Sequence, residues 1–334
     1  MNAPRPLNGR TRRGLRVTMA TLAMALAAPA TLLAQADYPN KPIRLIVTFA
    51  PGSSPDIVGR AVATPLGPVL GQPIVIENRT GAGGTVGVDA VAKSAPDGYT
   101  LLMTAGSTMS IVPHVLPKLP YNPERDLAPV AAGARIENFL VVRAELPTKS
   151  YKDFLEHAKR NPGKLSYGSP GSGTSPHIAA ELWKGATGVY SVHIPYRGTA
   201  PAIQDMLANN IDFMFDSGAS VPHIKSGRFR ALGVASPKRL ALLPDVPTFE
   251  ELGLKNLETG TTHAFWAPAG TPQPIIEKLN REINRVVVMP AVTQQILNLG
   301  AGVTPISPEE LRAVIAADSK RYAEVVRKAN IKAD

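Results

Sequence analysis

RLIVTFAPGSSPDIVGR, residues 44–60, decides the fold class. The apolar run Leu45 to Phe49 has strand character and stops at Pro51-Gly52-Ser53-Ser54-Pro55. Helical spacing follows, with Asp56 and Arg60 in its first turns. A strand that ends in small residues and feeds a helix N-terminus presents backbone N–H groups and a positive dipole end to an anion.

The same rhythm recurs along the chain. Strand character is read at 43–49, 73–77, 99–104, 138–143, 164–169, 189–194, 211–215 and 230–235, with helical spacing between. Ser150 with Asp153 forms a capping box ahead of Phe154, Leu155 and Ala158. Thr199 opens a helix carrying Ile203, Met206 and Leu207. Thr271-Pro272 opens another, with Ile276, Leu279, Ile283 and Val287 on one face. Ser307-Pro308-Glu309-Glu310 marks the start of a last one. Strands alternating with helices predict an α/β protein with mostly parallel sheets. Two βαβ sets, near 43–105 and 164–235, predict two domains sharing a cleft. The runs 138–143 and 264–268 are the expected crossings between them, and the helices after 271 are expected to return to the first domain.

The chain has 334 residues, enough for two such domains. Its N-terminus reads as an export signal. Arg5, Arg10, Arg12, Arg13 and Arg16 precede the apolar run VTMATLAMALAAPATLL, and Ala34-Gln35-Ala36 fits small-x-small cleavage before Asp37. Arg12-Arg13 also has the form of a twin-arginine signal. The alternative, an uncleaved anchor, is disfavoured by a short, alanine-rich run. Loss of these five arginines takes the formal charge from +10 to +5, a mild balance that does not support nucleic-acid binding. There is no cysteine, so there is no disulfide, thiolate metal site or lipoprotein anchor. The histidines show no metal-ligand spacing, and neither a nucleophile elbow nor a phosphate-binding P-loop is present. No cofactor and no metal are expected. Gly81-Ala82-Gly83-Gly84-Thr85-Val86-Gly87 misses the dinucleotide fingerprint. Ser172 and His177 are close in sequence without a third partner, so a secreted serine hydrolase remains the rival from another class.

Five small, polar, strand-ending loops carry the candidate ligand contacts. The first supplies Phe49, Gly52, Ser53, Ser54 and Asp56. The loop after Asn78 is rich in glycine. Thr104, Ala105, Gly106 and Ser107 follow the third strand. Ser169, Gly171, Gly173, Thr174 and His177 belong to the first loop of the second half, and Asp216 to its last. Tyr196 is an aromatic candidate. Asp56 reads either as a ligand-selecting carboxylate or as a helix first-turn charge, and Arg60 as its i+4 salt-bridge partner. Arg79 reads as structural.

The stretches YPNKPIRLIVTFAPGSSPDIVGR, GQPIVIENRTGAGGTVGVDAVAKSAPDGYTLL, YGSPGSGTSPHIAAEL, HIPYRGTAPAIQDML, LPDVPTFEELGL and WAPAGTP occur in this order. Together they closely resemble the tripartite tricarboxylate transporter receptors, or Bug receptors, from Tyr38 to the C-terminus. The resemblance implies a two-domain class II periplasmic binding protein (a Venus flytrap) that closes on a small organic carboxylate. It implies domains of 37–138 plus 268–334 and 139–267, after a signal of 1–36. It further implies a periplasmic receptor, no enzyme, whose partner is a two-subunit membrane permease; the lack of a coiled-coil heptad makes a monomer the expected state. A receptor feeding a signalling partner is the alternative. In the family two loops hold one carboxylate through main-chain amides, hydroxyls and waters. PGSSPD matches the first of these loops, with Asp56 at the acidic position, and SPGSGTS matches the second. Ser53 stands where the family usually has Gly, and Thr80 where Pro is common.

Overall fold

The computed structural model describes residues 38–332; the expected signal, 1–36, lies outside the described residues. Within Lys41–Asp334 the chain builds two five-stranded sheets. The first contains β1 (Ile43–Val47), β2 (Ile74–Asn78), β3 (Thr100–Thr104), β4 (Leu127–Ile136) and β10 (Thr261–Pro268), in the order β2-β1-β3-β10-β4. The second contains β5 (Asn138–Arg143), β6 (Ser166–Ser169), β7 (Val192–Pro195), β8 (Phe213–Asp216) and β9 (Phe229–Ala235), in the order β7-β6-β8-β5-β9. The orders are equivalent when β1, β2, β3, β10 and β4 are matched with β6, β7, β8, β5 and β9.

Both sheets are mixed. β1 pairs in parallel with β2 and β3, while β10 runs antiparallel to β3 and β4. β6 pairs in parallel with β7 and β8, while β5 runs antiparallel to β8 and β9. In each sheet the reversed strand is the one that arrives directly from the other lobe, so "mostly parallel" holds for strand direction but not for pairing. The expected crossings are therefore corrected. Residues 138–143 are β5 itself, an interior strand, and 264–268 belong to β10. The chain crosses at Glu137 and again within 236–260. Sheet membership also places 261–267, expected in the second domain, with the first lobe.

β4 had no counterpart in the sequence reading. Its sequence, LAPVAAGARI, is rich in Ala and Gly, which carry little strand preference. Its small residues follow from close packing: a Cβ at Gly133 would come within 2.9 Å of Val58 Cγ1.

Helices cover both sheets. In the first lobe these are α1 (Ser54–Leu70), α2 (Thr85–Ala92), the short α3 (Gly106–Ser110) and α4 (Val112–Val115), and α9 (Gln273–Val287), α10 (Pro290–Leu297) and α11 (Pro308–Lys328). In the second lobe they are α5 (Tyr151–Arg160), α6 (Ser175–Thr187), α7 (Thr199–Leu207) and α8 (Val221–Lys225). The capping box at Ser150/Asp153 forms as expected, and the helix start read at Ser307 carries a second one with Glu310. The helices after 271 return to the first sheet, where Asn280 Nδ2 donates to the Val130 carbonyl at 2.7 Å. Ile46, Val88, Leu102, Trp266 and Leu311 share one core cluster of the first lobe. In the second, Phe154 stacks on Trp183 at 5.6 Å, and both pack on Phe213. These cores hold the strand ends in place without disulfides.

Candidate ligand-binding site

The two crossings are fastened to each other. Asn138, fully buried, donates from Nδ2 to the carbonyl and the Oγ1 of Thr259, both at 2.9 Å. Its Oδ1 accepts from Ser217 Oγ at 2.9 Å. Ser217 follows β8 and lines a cavity of about 20 Å³ at the meeting of the two lobes. That is room for about one water. The first lobe contributes Phe49, Ser54, Pro55, Ala105, Ser107 and His263; the second contributes Pro170, Thr174, Ser175, Pro176, Thr199 and Ser217. No lysine, arginine, aspartate or glutamate is in this wall. A larger hollow of about 440 Å³ beside Trp266, His114 and Arg312 belongs to the first lobe alone.

The wall is built from one device used twice. Ala50-Pro51-Gly52-Ser53-Ser54-Pro55-Asp56 and Gly171-Ser172-Gly173-Thr174-Ser175-Pro176-His177 fold alike. Ser53 N–H donates to the Ala50 carbonyl at 3.1 Å, and Thr174 N–H to the Gly171 carbonyl at 3.2 Å. Both hydroxyls donate to those same carbonyls, at 2.6 and 2.7 Å. Gly52 and Gly173 adopt φ of +80° and +81°, which glycine tolerates without Cβ strain. Ser53 and Thr174 occupy the N-cap positions of α1 and α6, yet neither side chain caps its helix, because each hydroxyl is turned back into the loop. Two helix N-termini of opposite lobes therefore face one cavity without a side-chain cap, each with a hydroxyl residue, Ser54 or Ser175, and a proline in its first turn.

The last residue of each device supports the loop. Gly52 N–H donates to Asp56 Oδ2 at 2.9 Å, and Gly173 N–H to His177 Nδ1 at 3.2 Å. Asp56 also accepts from Asn78 Nδ2 at 2.9 Å and from Arg60 Nε at 3.0 and 2.9 Å. Burial pushes its carboxyl up, but the bonds from Arg60, Asn78 and Gly52 outweigh burial and hold it below the usual range. Asp56 is thus a positioning group outside the cavity wall, and the Arg60 pairing read from the sequence is present. His177 stacks on His193 at 4.3 Å, and His193 Nε2 lies 2.7 Å from Ser169 Oγ, which accepts from Gly171 N–H at 3.1 Å. Both histidines and Ser169 thereby shape the second loop.

Other expected residues lie behind the wall. Thr104 Oγ1 is 2.8 Å from Thr48 Oγ1, joining the ends of β3 and β1. Gly106 is packed so that a Cβ would come within 2.5 Å of the Thr262 carbonyl oxygen. Tyr196 donates to Asp205 Oδ2 at 2.7 Å; burial and that carboxylate push its hydroxyl pKa up. Asp216 Oδ2 accepts from Gly218 N–H, Ser220 N–H and Ser220 Oγ at 3.0, 2.7 and 2.6 Å, while burial pushes its carboxyl up. Arg79 pairs with Glu77 at 2.5 Å. Of the expected contacts, Phe49, Ser54, Ala105, Ser107 and Thr174 reach the wall. Sequence reasoning missed Pro55, Pro170, Ser175, Pro176, Thr199, Ser217 and His263. The Ser-Pro pairs opening α1 and α6 were the available signal for three of these; His263 had none, since β10 was not read as a strand.

His263 is 2% exposed. Its Nε2 lies 3.0 Å from Ser54 Oγ, and its Nδ1 has no partner. Burial, with a smaller contribution from Arg135, pushes its pKa down to about 3, so the ring is neutral at physiological pH.

Residues 58–331 match the profile described as "Tripartite tricarboxylate transporter family receptor". The chain belongs to this family. It is 37% identical to Protein BugT of Bordetella pertussis over 297 residues, 88% of this chain and 91% of that protein. Three solved structures share the fold. Periplasmic binding protein BugD superposes with a TM-score of 0.85 at 34% identity, covering 88% of this chain and 99% of that one. R. palustris Rpa4515 with adipate gives 0.86 at 31% identity, covering 88% and 99%. MatC (Rpa3494) from Rhodopseudomonas palustris with bound malate gives 0.82 at 32% identity, covering 86% and 100%. The family consists of periplasmic solute-binding receptors, not enzymes, and the class II binding-protein fold expected from the sequence is the one present. Among the described residues no helix is long and apolar enough to cross a membrane, and no cluster of His, Asp or Glu is suited to a metal ion.

Proposed function

We propose that this receptor captures a small organic carboxylate between the N-terminal ends of α1 and α6 and delivers it to a two-subunit tripartite tricarboxylate permease. The observation that carries the reading is the duplicated loop, which turns two helix N-termini, uncapped by side chains, into one cavity. Each end offers backbone N–H groups, a hydroxyl and a positive dipole end. A carboxylate held by such donors needs no cation, in accord with a wall that has none. Support also comes from the relatives solved with adipate and with malate.

The cavity as formed is smaller than any such acid, so the two lobes part about Glu137 and 236–260 to admit it and close to exclude water. Exclusion of water strengthens the charge-assisted bonds. The protein acts as a monomer, exported through the signal at 1–36 and cleaved after Ala36. Dissociation constants near micromolar correspond to about −8 kcal/mol.

A thermal-shift screen of the exported protein against mono-, di- and tricarboxylic acids, aromatic acids and amines tests this reading. Binding to the native state raises the melting temperature by mass action. The expected result is a shift with one class of acid and none with amines. Shifts with amines alone, or with no acid, overturn it.

A further inference from the structure

We propose that His263 is a ligand contact and makes this pocket select acids that carry a hydroxyl group beside the carboxylate. This rests on the carboxylate reading and narrows it.

His263 enters the cavity wall from β10, directly after the second crossing. One ring nitrogen is accounted for by Ser54 Oγ at 3.0 Å; the other, Nδ1, is buried without a partner. A buried polar atom left unpaired is costly, and the rest of the wall offers small hydroxyls, prolines, an alanine and a phenylalanine. The tautomer decides what Nδ1 requires. Ser54 has one hydroxyl proton and two candidate acceptors, His263 Nε2 and a carboxylate seated on α1. An ionised carboxylate is the stronger acceptor, so it takes that proton. Nε2 then carries the ring proton and donates to Ser54 Oγ, which leaves Nδ1 as a bare acceptor.

A bare acceptor calls for a donor from the ligand. A ligand hydroxyl supplies one. A second carboxylate would oppose the lone pair, and an alkyl segment would leave it unpaired. An ammonium group also donates, but two helix N-termini directed at the same cavity oppose a cation. The neutral state of the ring, kept by burial, makes this a recognition by hydrogen bonding and not by charge.

The test is calorimetric titration of the exported protein with four matched pairs: propionate and 2-hydroxypropionate, succinate and 2-hydroxysuccinate, glutarate and 2-hydroxyglutarate, tricarballylate and citrate. For the pair that fits, the hydroxy acid should bind about tenfold tighter or more, since a site built to pair a hydroxyl rejects its absence. His263→Phe should abolish the difference in affinity between the two members of the pair. His263→Asn, whose Oδ1 stands near the Nδ1 position, should keep the preference. In the wild-type protein saturated with that hydroxy acid, 15N spectra of the histidine rings should show Nδ1 of His263 unprotonated. Plain acids binding as well as their hydroxy partners, a preference that survives in His263→Phe, acids outside the set binding while all four hydroxy acids are ignored, or a protonated Nδ1 would each overturn the assignment but leave the carboxylate reading standing. Failure of every acid to bind overturns both.

Discussion

Replacing Asp56 by alanine removes a carboxylate that never touches the cavity, yet it should weaken both the fold and ligand capture. Its side chain is 3% exposed and takes three sets of hydrogen bonds. Arg60 is half exposed, so its guanidinium rehydrates when the partner is lost and contributes little. The Asn78 amide and the Gly52 N–H lose a charged acceptor at 2.9 Å each. Bonds to charged groups contribute about 1.5–3 kcal/mol each, and partial replacement by water brings the expected loss to about 2–3 kcal/mol. For a chain of this size that lowers the melting temperature by roughly 4–10 °C. The difference depends on pH. The folded carboxyl sits below its ordinary value of 3.8, so its contribution is fully present above that value and disappears as pH falls through the folded value. Urea denaturation of wild type and variant at neutral and acid pH measures this, and titration of the best acid gives the accompanying loss of affinity. Equal stability at neutral pH would refute the view that Asp56 holds the loop. A stability gap with affinity untouched would refute the link between loop and ligand.

Three further outcomes follow from the same structure. Asn138→Leu keeps the volume but leaves Thr259 and Ser217 without their partner, and should cost about 1–3 kcal/mol in denaturant unfolding as well as weaken binding. Trp183→Ala opens a cavity beside Phe154 and Phe213 and should cost about 3–5 kcal/mol in the same assay. Because His263 titrates at about 3, calorimetric affinity at the site should show no step attributable to it between roughly pH 5 and 8, where an ordinary histidine would show one; a step abolished by His263→Phe would contradict the neutral ring.

The fold was legible where local signals agreed with tertiary need. The run ahead of PGSSPD, the capping box at Ser150, the helix start at Ser307, and the amphipathic face of Ile276, Leu279 and Ile283 each carry their own structure. β4 and β10 were not legible as strands, because Ala, Gly and Thr are placed there by packing against α1 and neighbouring strands, a constraint distant in sequence. The site was half legible. Glycine and hydroxyl residues at strand ends announced the loops, but spacing cannot tell a side chain that faces the cavity from one that braces the loop behind it. Asp56 and His177 brace, and the Thr174 hydroxyl is turned back into the loop, whereas Ser54 lines the cavity and reaches His263. Thr199, Ser217 and His263 meet the others only where the two lobes come together at the cavity, a contact between residues distant in sequence.

A crystal structure of the protein with the acid that gives the largest melting shift tests the central claim most directly. The account predicts carboxylate oxygens within hydrogen-bonding distance of Ser54 and of Ser175, bound by donors from both helix ends, with the lobes closed over them. An acid held by a lysine or arginine, or bound to one lobe away from the two Ser-Pro helix starts, would contradict it.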